Sequence, residues 1–276
     1  MKQISAKQVT LPLLTPQQIF SYLDGYVVGQ HQAKRTLAVA AYNHMKRCLA
    51  PKNTKTQLKK SNVLLVGPTG CGKTRLASKL AELLKLPFTI TDATEYTEAG
   101  YYGKDVEVMV AELLYKAHHS VEEAQRGIVF IDEIDKLARR AQGGKTGTGN
   151  RDIGGEGVQQ ALLKILEGRE LFVPLNITQN WNKHDFVQID TTDILFIAAG
   201  TFSELQCGDQ TLGITPQDLI NYGMMAEFLG RLPVLVQLEQ LDENQLMTIL
   251  RDPLDSIPKK HQYLLYRLTL RSKTVG

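Results

Sequence analysis

The chain has 276 residues, of which 43% are hydrophobic and 22% are charged, and its formal net charge is +3. These values are ordinary for a globular protein and argue against a disordered chain. The longest apolar runs, such as residues 194–200, are too short to span a bilayer, and the polar N-terminus lacks the apolar region of a signal peptide. We therefore expect a cytoplasmic protein with no membrane partner.

Apolar runs typical of buried strands alternate along the chain with segments of helical periodicity. Such alternation predicts an α/β fold, a parallel sheet covered by helices with right-handed crossovers. The predicted elements, in chain order, are a helix from Thr15 to about Gly25, a helix through 33–45, a strand at 63–66, a helix through 76–84, a strand at 87–91, a helix at 105–119, a strand at 127–133, a helix at 156–167, a hairpin of 171–173 with 186–189, a strand at 194–200, a helix beginning at Thr215, a helix end and turn at 227–233, a strand at 234–238 and a helix capped at 242–245.

Charge and cysteine usage add little. The basic stretch Lys52 to Lys60 is interpreted as a solvated linker. Three widely spaced cysteines, Cys48, Cys71 and Cys207, indicate free thiols in a reducing compartment. Cys71 is interpreted as a passive small side chain, with a redox sensor as the alternative.

The strand at 63–66 leads into a glycine-rich loop of the G-x-x-x-x-G-K-[ST] type, Gly67 to Thr74, and then into a helix. Glycines let the backbone turn its amide groups inward around an anion, and the helix N-terminus favours the same negative charge. Lys73 is expected to reach the β and γ phosphates, and the Thr74 hydroxyl to hold Mg²⁺. The pattern predicts a phosphate-binding loop for a nucleoside triphosphate.

The strand at 127–133 ends in two carboxylates, Asp132 and Glu133. Ligands of parallel sheets bind at the carboxyl ends of the strands. We expect Asp132 to steady the magnesium ion and Glu133 to orient and polarise the attacking water. The alternative is that the acidic pair caps a helix, because Asp favours that position.

Thr201 follows the buried strand at 194–200. Its side chain lies close to the γ phosphate if this strand neighbours the Asp132 strand, a condition that the sequence does not reveal. Arg231, taken alone, is more often a surface ion-pair partner than a catalytic group.

Two loops have unusual composition. Tyr101 and Tyr102 stand between glycines, in a mobile loop or in a turn whose rings pack back onto the domain. Residues 143–157 hold seven glycines and predict a flexible loop.

Together these motifs resemble those of the ClpX family of AAA+ protein unfoldases, over roughly Leu11 to Arg267, with HslU as a more distant relative. The segments that carry the resemblance are 27–30, 67–74, 86–88, 97–103, 125–136, 155–164 and 227–233. Several are peculiar to the ClpX branch of P-loop proteins. The resemblance implies an AAA+ large domain, a P-loop nucleoside triphosphatase fold, with a remnant of a helical small domain.

The resemblance also implies residue roles. Val27 and Val28 would contact adenine, Tyr101 and Tyr102 would form the pore loop that grips substrate polypeptide, and Arg231 would be an arginine finger for the neighbouring subunit. Residues 143–153 match a second pore loop. The residues expected to bind ATP are Val27, Val28, Gly67, Pro68, Thr69, Gly70, Cys71, Gly72, Lys73, Thr74 and Arg75; those expected to bind Mg²⁺ are Thr74 and Asp132; those expected in catalysis are Glu133, Lys73, Arg231 and Thr201.

Four features depart from the family pattern. The N-terminal four-cysteine zinc module is absent, the region of the ClpP-docking loop shrinks to residues 203–211, the basic loop near the pore entrance is reduced to residues 182–184, and most of the C-terminal small domain, with its Gly-Ala-Arg motif, is missing. We therefore expect no docking to ClpP. The expected domains are a tail at 1–14, an AAA+ large domain at 15–240 and a small-domain fragment at 241–276.

Three functions compete. The first is an ATP- and Mg²⁺-dependent unfoldase or chaperone for protein substrates, a hexameric homo-oligomeric ring or a mixed ring with a homologue, working without ClpP. The second is a truncated nucleotide-binding regulatory or assembly subunit with weak or no ATPase activity. The third, a DNA-handling P-loop motor, is disfavoured by the small net charge and the lack of a helix-turn-helix or basic face, so no nucleic-acid partner is expected.

Overall fold

The structure, a computed structural model, describes residues 13–50, 59–96, 104–138, 155–175, 186–203, 205 and 213–251. The helices in these ranges are α1 (Pro16–Asp24), α2 (His31–Leu49), α3 (Lys73–Leu84), α4 (Val108–Lys116), α5 (Val121–Ala124), α6 (Gly155–Leu166), α7 (Pro216–Tyr222), α8 (Ala226–Gly230) and α9 (Glu243–Arg251). The strands are β1 (Val63–Val66), β2 (Phe88–Asp92), β3 (Ile128–Asp132), β4 (Glu170–Pro174), β5 (Phe186–Asp190), β6 (Leu195–Gly200) and β7 (Val234–Gln237).

Five strands form one parallel sheet in the order β2-β3-β6-β1-β7. The strand β6 therefore lies between β1 and β3, which are about 9–10 Å apart. Because all five strands run the same way, the phosphate loop after β1, the acidic pair ending β3 and Thr201 after β6 reach the same edge. The strands β4 and β5 form a separate antiparallel hairpin, as predicted.

The sheet is buried on both faces, as its nearly continuous apolar strands predict. Alternate side chains enter two separate cores. One core joins Val63 and Leu65 of β1 to apolar residues of α1, α2 and α3, and the other joins Leu64 and Val66 to apolar residues of α4 and α6. The result is a three-layer α/β fold, which confirms the predicted fold class.

Three predicted helix starts carry the expected caps. Thr15 of α1 and Thr215 of α7 each form a capping box with the residue three positions later, followed by Pro at the first helical position. Before α9, the Asp242 carboxylate accepts a hydrogen bond from the Gln245 backbone amide at 2.7 Å, and Oε1 of Gln245 accepts one from the Asp242 backbone amide at 3.0 Å.

The predicted helix at 105–119 is shorter than expected. It starts at Val108 and ends at Lys116. It ends there because His118 and His119 adopt positive φ angles of 51° and 62°, which are incompatible with a right-handed helix. The four-residue helix α5 was not predicted, since it is too short to show a helical period; Ser120 caps it.

Lys60 contradicts the prediction of a solvated linker. Its Nζ donates to the Thr191 carbonyl at 2.9 Å and lies 4.6 Å from the centre of the Phe196 ring. Burial, with a further contribution from Arg47, lowers the pKa of Lys60 to about 7. Residues 52–58 of this stretch lie outside the described residues, and Lys59 is exposed. Among the described helices, none is both long and apolar enough to cross a membrane.

Candidate functional site

The loop between β1 and α3 forms an open cradle. Gly70 and Gly72 have φ angles of +81° and +100°, the left-handed region that favours glycine. Nothing lies within 4 Å of the position that a Cβ would take at Gly70. Thr69 and Gly70 are exposed, and the twelve-residue helix α3 begins directly behind them at Lys73. The glycine turn therefore leaves open space in front of a helix N-terminus, a place that suits an anion.

The start of the loop is held by close contacts. The Gly67 amide donates to the Gly200 carbonyl at the end of β6, at 3.2 Å. A Cβ on Gly67 would lie 2.8 Å from both Cβ and the carbonyl oxygen of Leu238, so a larger residue does not fit here. The loop thus touches both strands that flank β1.

Lys73 is folded into the cradle. Its side chain is mostly buried, and Nζ donates to the carbonyl oxygens of Gly67, at 2.6 Å, and Pro68, at 2.9 Å. Phosphate oxygens are stronger acceptors for an ammonium group than neutral carbonyls. An incoming triphosphate can therefore take over these bonds without a large movement of the lysine.

The acidic pair stands at the end of β3. Asp132 is half-buried and its Oδ1 accepts from the Glu133 amide at 2.9 Å, while Glu133 is exposed in a left-handed turn with φ 55°. A short 3₁₀ helix, Ile134–Leu137, follows, and within the described residues the Glu133 side chain makes no capping bond to it. The helix-cap alternative is therefore disfavoured for Glu133. Together with Asp132 it lines an open cleft of about 410 Å³, whose other walls come from β2, Glu95, Lys104 and Glu112 and not from the phosphate loop.

Thr201 connects the two halves of this edge. Its Oγ1 donates to Oδ2 of Asp135 at 2.9 Å and its amide to Oδ1 at 3.2 Å, and Asp135 is only 4% exposed. The sheet order meets the condition set for Thr201, since β6 neighbours β3. However, its hydroxyl hydrogen is taken by Asp135, so toward a ligand Thr201 offers an acceptor. Sequence reasoning missed Asp135, although it lies only two residues after Glu133.

A turn between α1 and α2 packs beside the cradle. Val27 is buried and lies 3.8 Å from the Cβ position of Gly72, whereas Val28 is half-buried. Arg75 Nε donates to the Tyr26 carbonyl at 3.0 Å, and Lys34 Nζ donates to the Val27 carbonyl at 2.9 Å. Two cations therefore fix the turn on the loop side of the sheet.

A family model for the AAA domain (Cdc48 subfamily) matches residues 58–235. A curated relative, the ATP-dependent Clp protease ATP-binding subunit ClpX 2 of Wolinella succinogenes, is 46% identical over 272 residues, covering 94% of this chain and 68% of the relative. The ClpX subunit of Treponema denticola is 43% identical over 274 residues, covering 90% and 65%. The chain belongs to the ClpX family of AAA+ ATPases. It spans about two thirds of the length of these relatives.

The residues predicted to bind ATP lie close to one another in the chain's fold, on the loop after β1, the start of α3 and the turn beside them. Pro68 to Gly72 form the cradle, Lys73, Thr74 and Arg75 form the first turn of α3, and the valines lie on the adjoining turn. The buried thiol of Cys71 has a raised pKa, chiefly because of desolvation. A raised pKa lowers the thiolate fraction and favours the passive role over a redox sensor.

The predicted ligands of Mg²⁺ lie at the start of α3 and at the end of β3. Thr74 and Asp132 both offer oxygen ligands at this edge. The described residues contain no cluster of three or more His, Cys, Asp or Glu that could hold a metal alone. Mg²⁺ is usually held by one or two protein groups together with substrate phosphates and water.

Arg231 lies far from the cradle of its own chain. It ends α8, just before β7, and its carbonyl accepts from the Asn62 side chain at the start of β1. The four residues of β1, about 13 Å, separate this end of the sheet from the phosphate loop. The guanidinium pairs with Glu167 at 2.6 Å, with both side chains about half exposed. The structure therefore does not bring Arg231 together with Lys73, Asp132 and Glu133.

Gln30 makes contacts that sequence reasoning did not predict. Its side-chain amide donates to the Glu239 carbonyl at 2.7 Å and to the Cys71 carbonyl at 3.4 Å, and it accepts from the Glu239 amide at 3.0 Å. The partners lie 41 and 209 residues away in sequence. Two other sets of predicted residues, Tyr101 and Tyr102 and the glycine-rich 143–153 segment, lie outside the described residues, as do 204 and 206–212.

Proposed function

We propose that this ClpX-family chain hydrolyses ATP to ADP and phosphate at the cradle edge and uses the reaction to unfold protein substrates in a ring. The observation that carries the proposal is the continuity of that edge. Gly67 bonds to Gly200, the next residue Thr201 bonds to Asp135, and Asp135 follows Glu133 by two positions. These bonds connect the phosphate loop to the turn that carries the exposed carboxylate of Glu133.

The roles follow from the position of each group. The loop amides and Lys73 bind the phosphates, and the two valines beside Gly72 would bind the base. Glu133 orients water and accepts its proton as the water attacks the γ phosphorus. Mg²⁺ held by Thr74 and Asp132 would neutralise charge that develops on the phosphate oxygens.

A ring is proposed because Arg231 lies at the amino ends of the strands, remote from the phosphate loop of its own chain. Arg231 is exposed there, and its guanidinium forms a surface ion pair with Glu167 that is worth at most about 1 kcal/mol. A neighbouring subunit could therefore claim Arg231 at little cost. The tyrosine loop is proposed from the resemblance to the family, and the absence of ClpP coupling from the departure at residues 203–211.

Glu133→Gln tests the hydrolytic step. The amide keeps the size of the side chain but cannot accept a proton, so we expect phosphate release to fall by at least about 100-fold with ATP binding retained. Glu122→Gln, which neutralises an exposed carboxylate on α5, is the matched control and should release phosphate at the unaltered rate. Unchanged turnover in Glu133→Gln would remove the assigned role. Tight binding without turnover in the unaltered chain would support a regulatory subunit instead.

A further inference from the structure

The turn that carries Gly29 and Gln30 touches the phosphate loop on one side and the segment leading to α9 on the other. Gln30 is 7% exposed and bonds to Cys71 in the loop and to both backbone groups of Glu239. Gly29, with φ +66°, lies so close to α9 that a Cβ would stand 2.8 Å from Nε2 of Gln245. That glutamine belongs to the capping box at the start of α9.

We propose that Gln30 is a positioning residue that transmits nucleotide occupancy of the phosphate loop to residues 239–245 and hence to the orientation of α9. This inference rests on the proposed nucleotide site and goes beyond it, since Gln30 itself does not bind nucleotide in this account. The side-chain amide of Gln30 is bonded to Cys71 and to both backbone groups of Glu239, so a displacement of Cys71 changes the bonding of Glu239.

The three bonds of the Gln30 side chain differ in length. Both bonds to Glu239 are short, at 2.7 and 3.0 Å, whereas the bond to the Cys71 carbonyl is long, at 3.4 Å. A long bond is weak and is the one that a change in the loop can tighten or release. Glu239 is exposed, and the described part of the chain buries no residue of α9.

A second connection runs parallel to this one. Gly67 packs against Leu238, whose amide donates to the Val66 carbonyl at 2.8 Å. This contact belongs to the β1–β7 pairing and would persist if Gln30 were altered. The test must therefore separate transmission through Gln30 from transmission through the sheet.

Hydrogen exchange measured by mass spectrometry, with and without adenylyl imidodiphosphate and Mg²⁺, makes this separation. In the unaltered chain we expect slower exchange at residues 67–76 and a change of about fivefold or more at residues 238–251. In Gln30→Met, which keeps the side-chain length but loses every bond, the loop should still be protected while the response at 238–251 is lost.

Gln159→Met is the matched control. Gln159 is 1% exposed and bridges two backbone segments in the same way, donating to the Leu137 carbonyl at 2.7 Å and accepting from the Met225 amide at 2.9 Å. Its loss should destabilise the fold comparably yet leave the response at 238–251 intact. If Gln30→Met does not fold, Gln30→Asn replaces it, because Asn tolerates the φ of 55° and its shorter side chain cannot reach both partners.

Persistence of the 238–251 response in the folded Gln30 variant would overturn the inference, as would its loss in Gln159→Met. So would loop protection without any response at 238–251 in the unaltered chain. A lack of loop protection in the unaltered chain would instead count against the nucleotide site itself, and with it the proposed function.

Discussion

His44 on α2 is a buried base that the proposed site does not use. It is 2% exposed, and its Nε2 lies 3.2 Å from the Arg126 carbonyl. Burial, together with the charges of Arg47 and Lys60, lowers its pKa from 6.5 to about 3, although the bond to the Arg126 carbonyl acts in the opposite direction. Cys48 packs 3.8 Å from Nε2, and burial raises the pKa of its thiol to about 11, so it remains neutral. The folded chain therefore holds His44 uncharged at neutral pH.

Acid should destabilise the fold through His44. Between pH 6.5 and 3 the unfolded chain binds a proton at this position and the folded chain does not, so the free energy of unfolding falls as the pH falls. The contribution is at most roughly 5 kcal/mol, from the shift of the pKa. In His44→Gln, urea unfolding followed across this window should show a shallower pH dependence. His118→Gln, at an exposed position, should keep the original slope; an equal slope in both variants would contradict the assignment.

Some residues of the candidate site could be predicted from the sequence, and others could not. The places of Gly67 to Thr74 and of Asp132 and Glu133 at the ends of strands were predictable, because neighbouring residues form recognisable motifs, and their chemical roles stay predictions. Gln30, Lys34 and Asp135 were not, since each acquires its role from partners that only the folded chain brings near.

At the scale of elements, the junction of α1 and α2 depends on one buried cation. Lys34 on α2 is fully buried, pairs with Asp24 at the end of α1 and donates to the Val27 carbonyl at 2.9 Å. Its ammonium also lies 5.7 Å from the centre of the Phe20 ring. The lysine therefore joins two helices to the turn that packs on the phosphate loop.

Lys34→Met should destabilise the chain by about 1–3 kcal/mol, the usual cost of a buried acceptor left without its donor. The larger cost of an abandoned buried charge does not apply, because the Asp24 side chain is 45% exposed and can be hydrated. The urea midpoint measures the effect. Lys116→Met, at the exposed end of α4, should stay within about 0.5 kcal/mol of the unaltered chain. A Lys34 variant as stable as this control would show that Val27 does not need the bond.

The elements themselves were largely predictable because the sequence contains two clear patterns, continuous apolar runs and apolar residues at helical spacing. Strands buried on both faces gave continuous apolar runs, as in β3 and β6, and α3 and α6 showed helical spacing. The errors arose where local conformation opposed the pattern, at His118 beyond α4, or where an element was too short to show a period, as in α5. The strand order, which decides whether Thr201 meets the acidic turn, depends on long-range pairing that no single segment encodes.

At the scale of the whole molecule, the proposed reaction requires two chains. Arg231 and the phosphate loop occupy opposite edges of one sheet, so Arg231 can stabilise a transition state only in a neighbouring subunit. An arginine finger is worth about 10³–10⁵ in rate. We therefore expect Arg231→Ala to reduce ATP turnover by about 10³ or more with nucleotide binding retained. Arg169→Ala removes another exposed arginine, next to β4, and should keep the unaltered turnover.

Mixing two inactive variants distinguishes action in trans from action in cis. A Glu133→Gln subunit keeps its arginine, and an Arg231→Ala subunit keeps its glutamate. If the arginine acts on the next subunit, a mixed ring contains sites with an intact Glu133 from one chain and an intact Arg231 from its neighbour, so phosphate release should recover when the two preparations are combined. If both residues serve the same chain, no site in the mixture is complete and the release rate stays at the level of the separate variants. Phosphate release should not recover when each single variant is mixed with the double variant Glu133→Gln, Arg231→Ala, because the double variant lacks both groups.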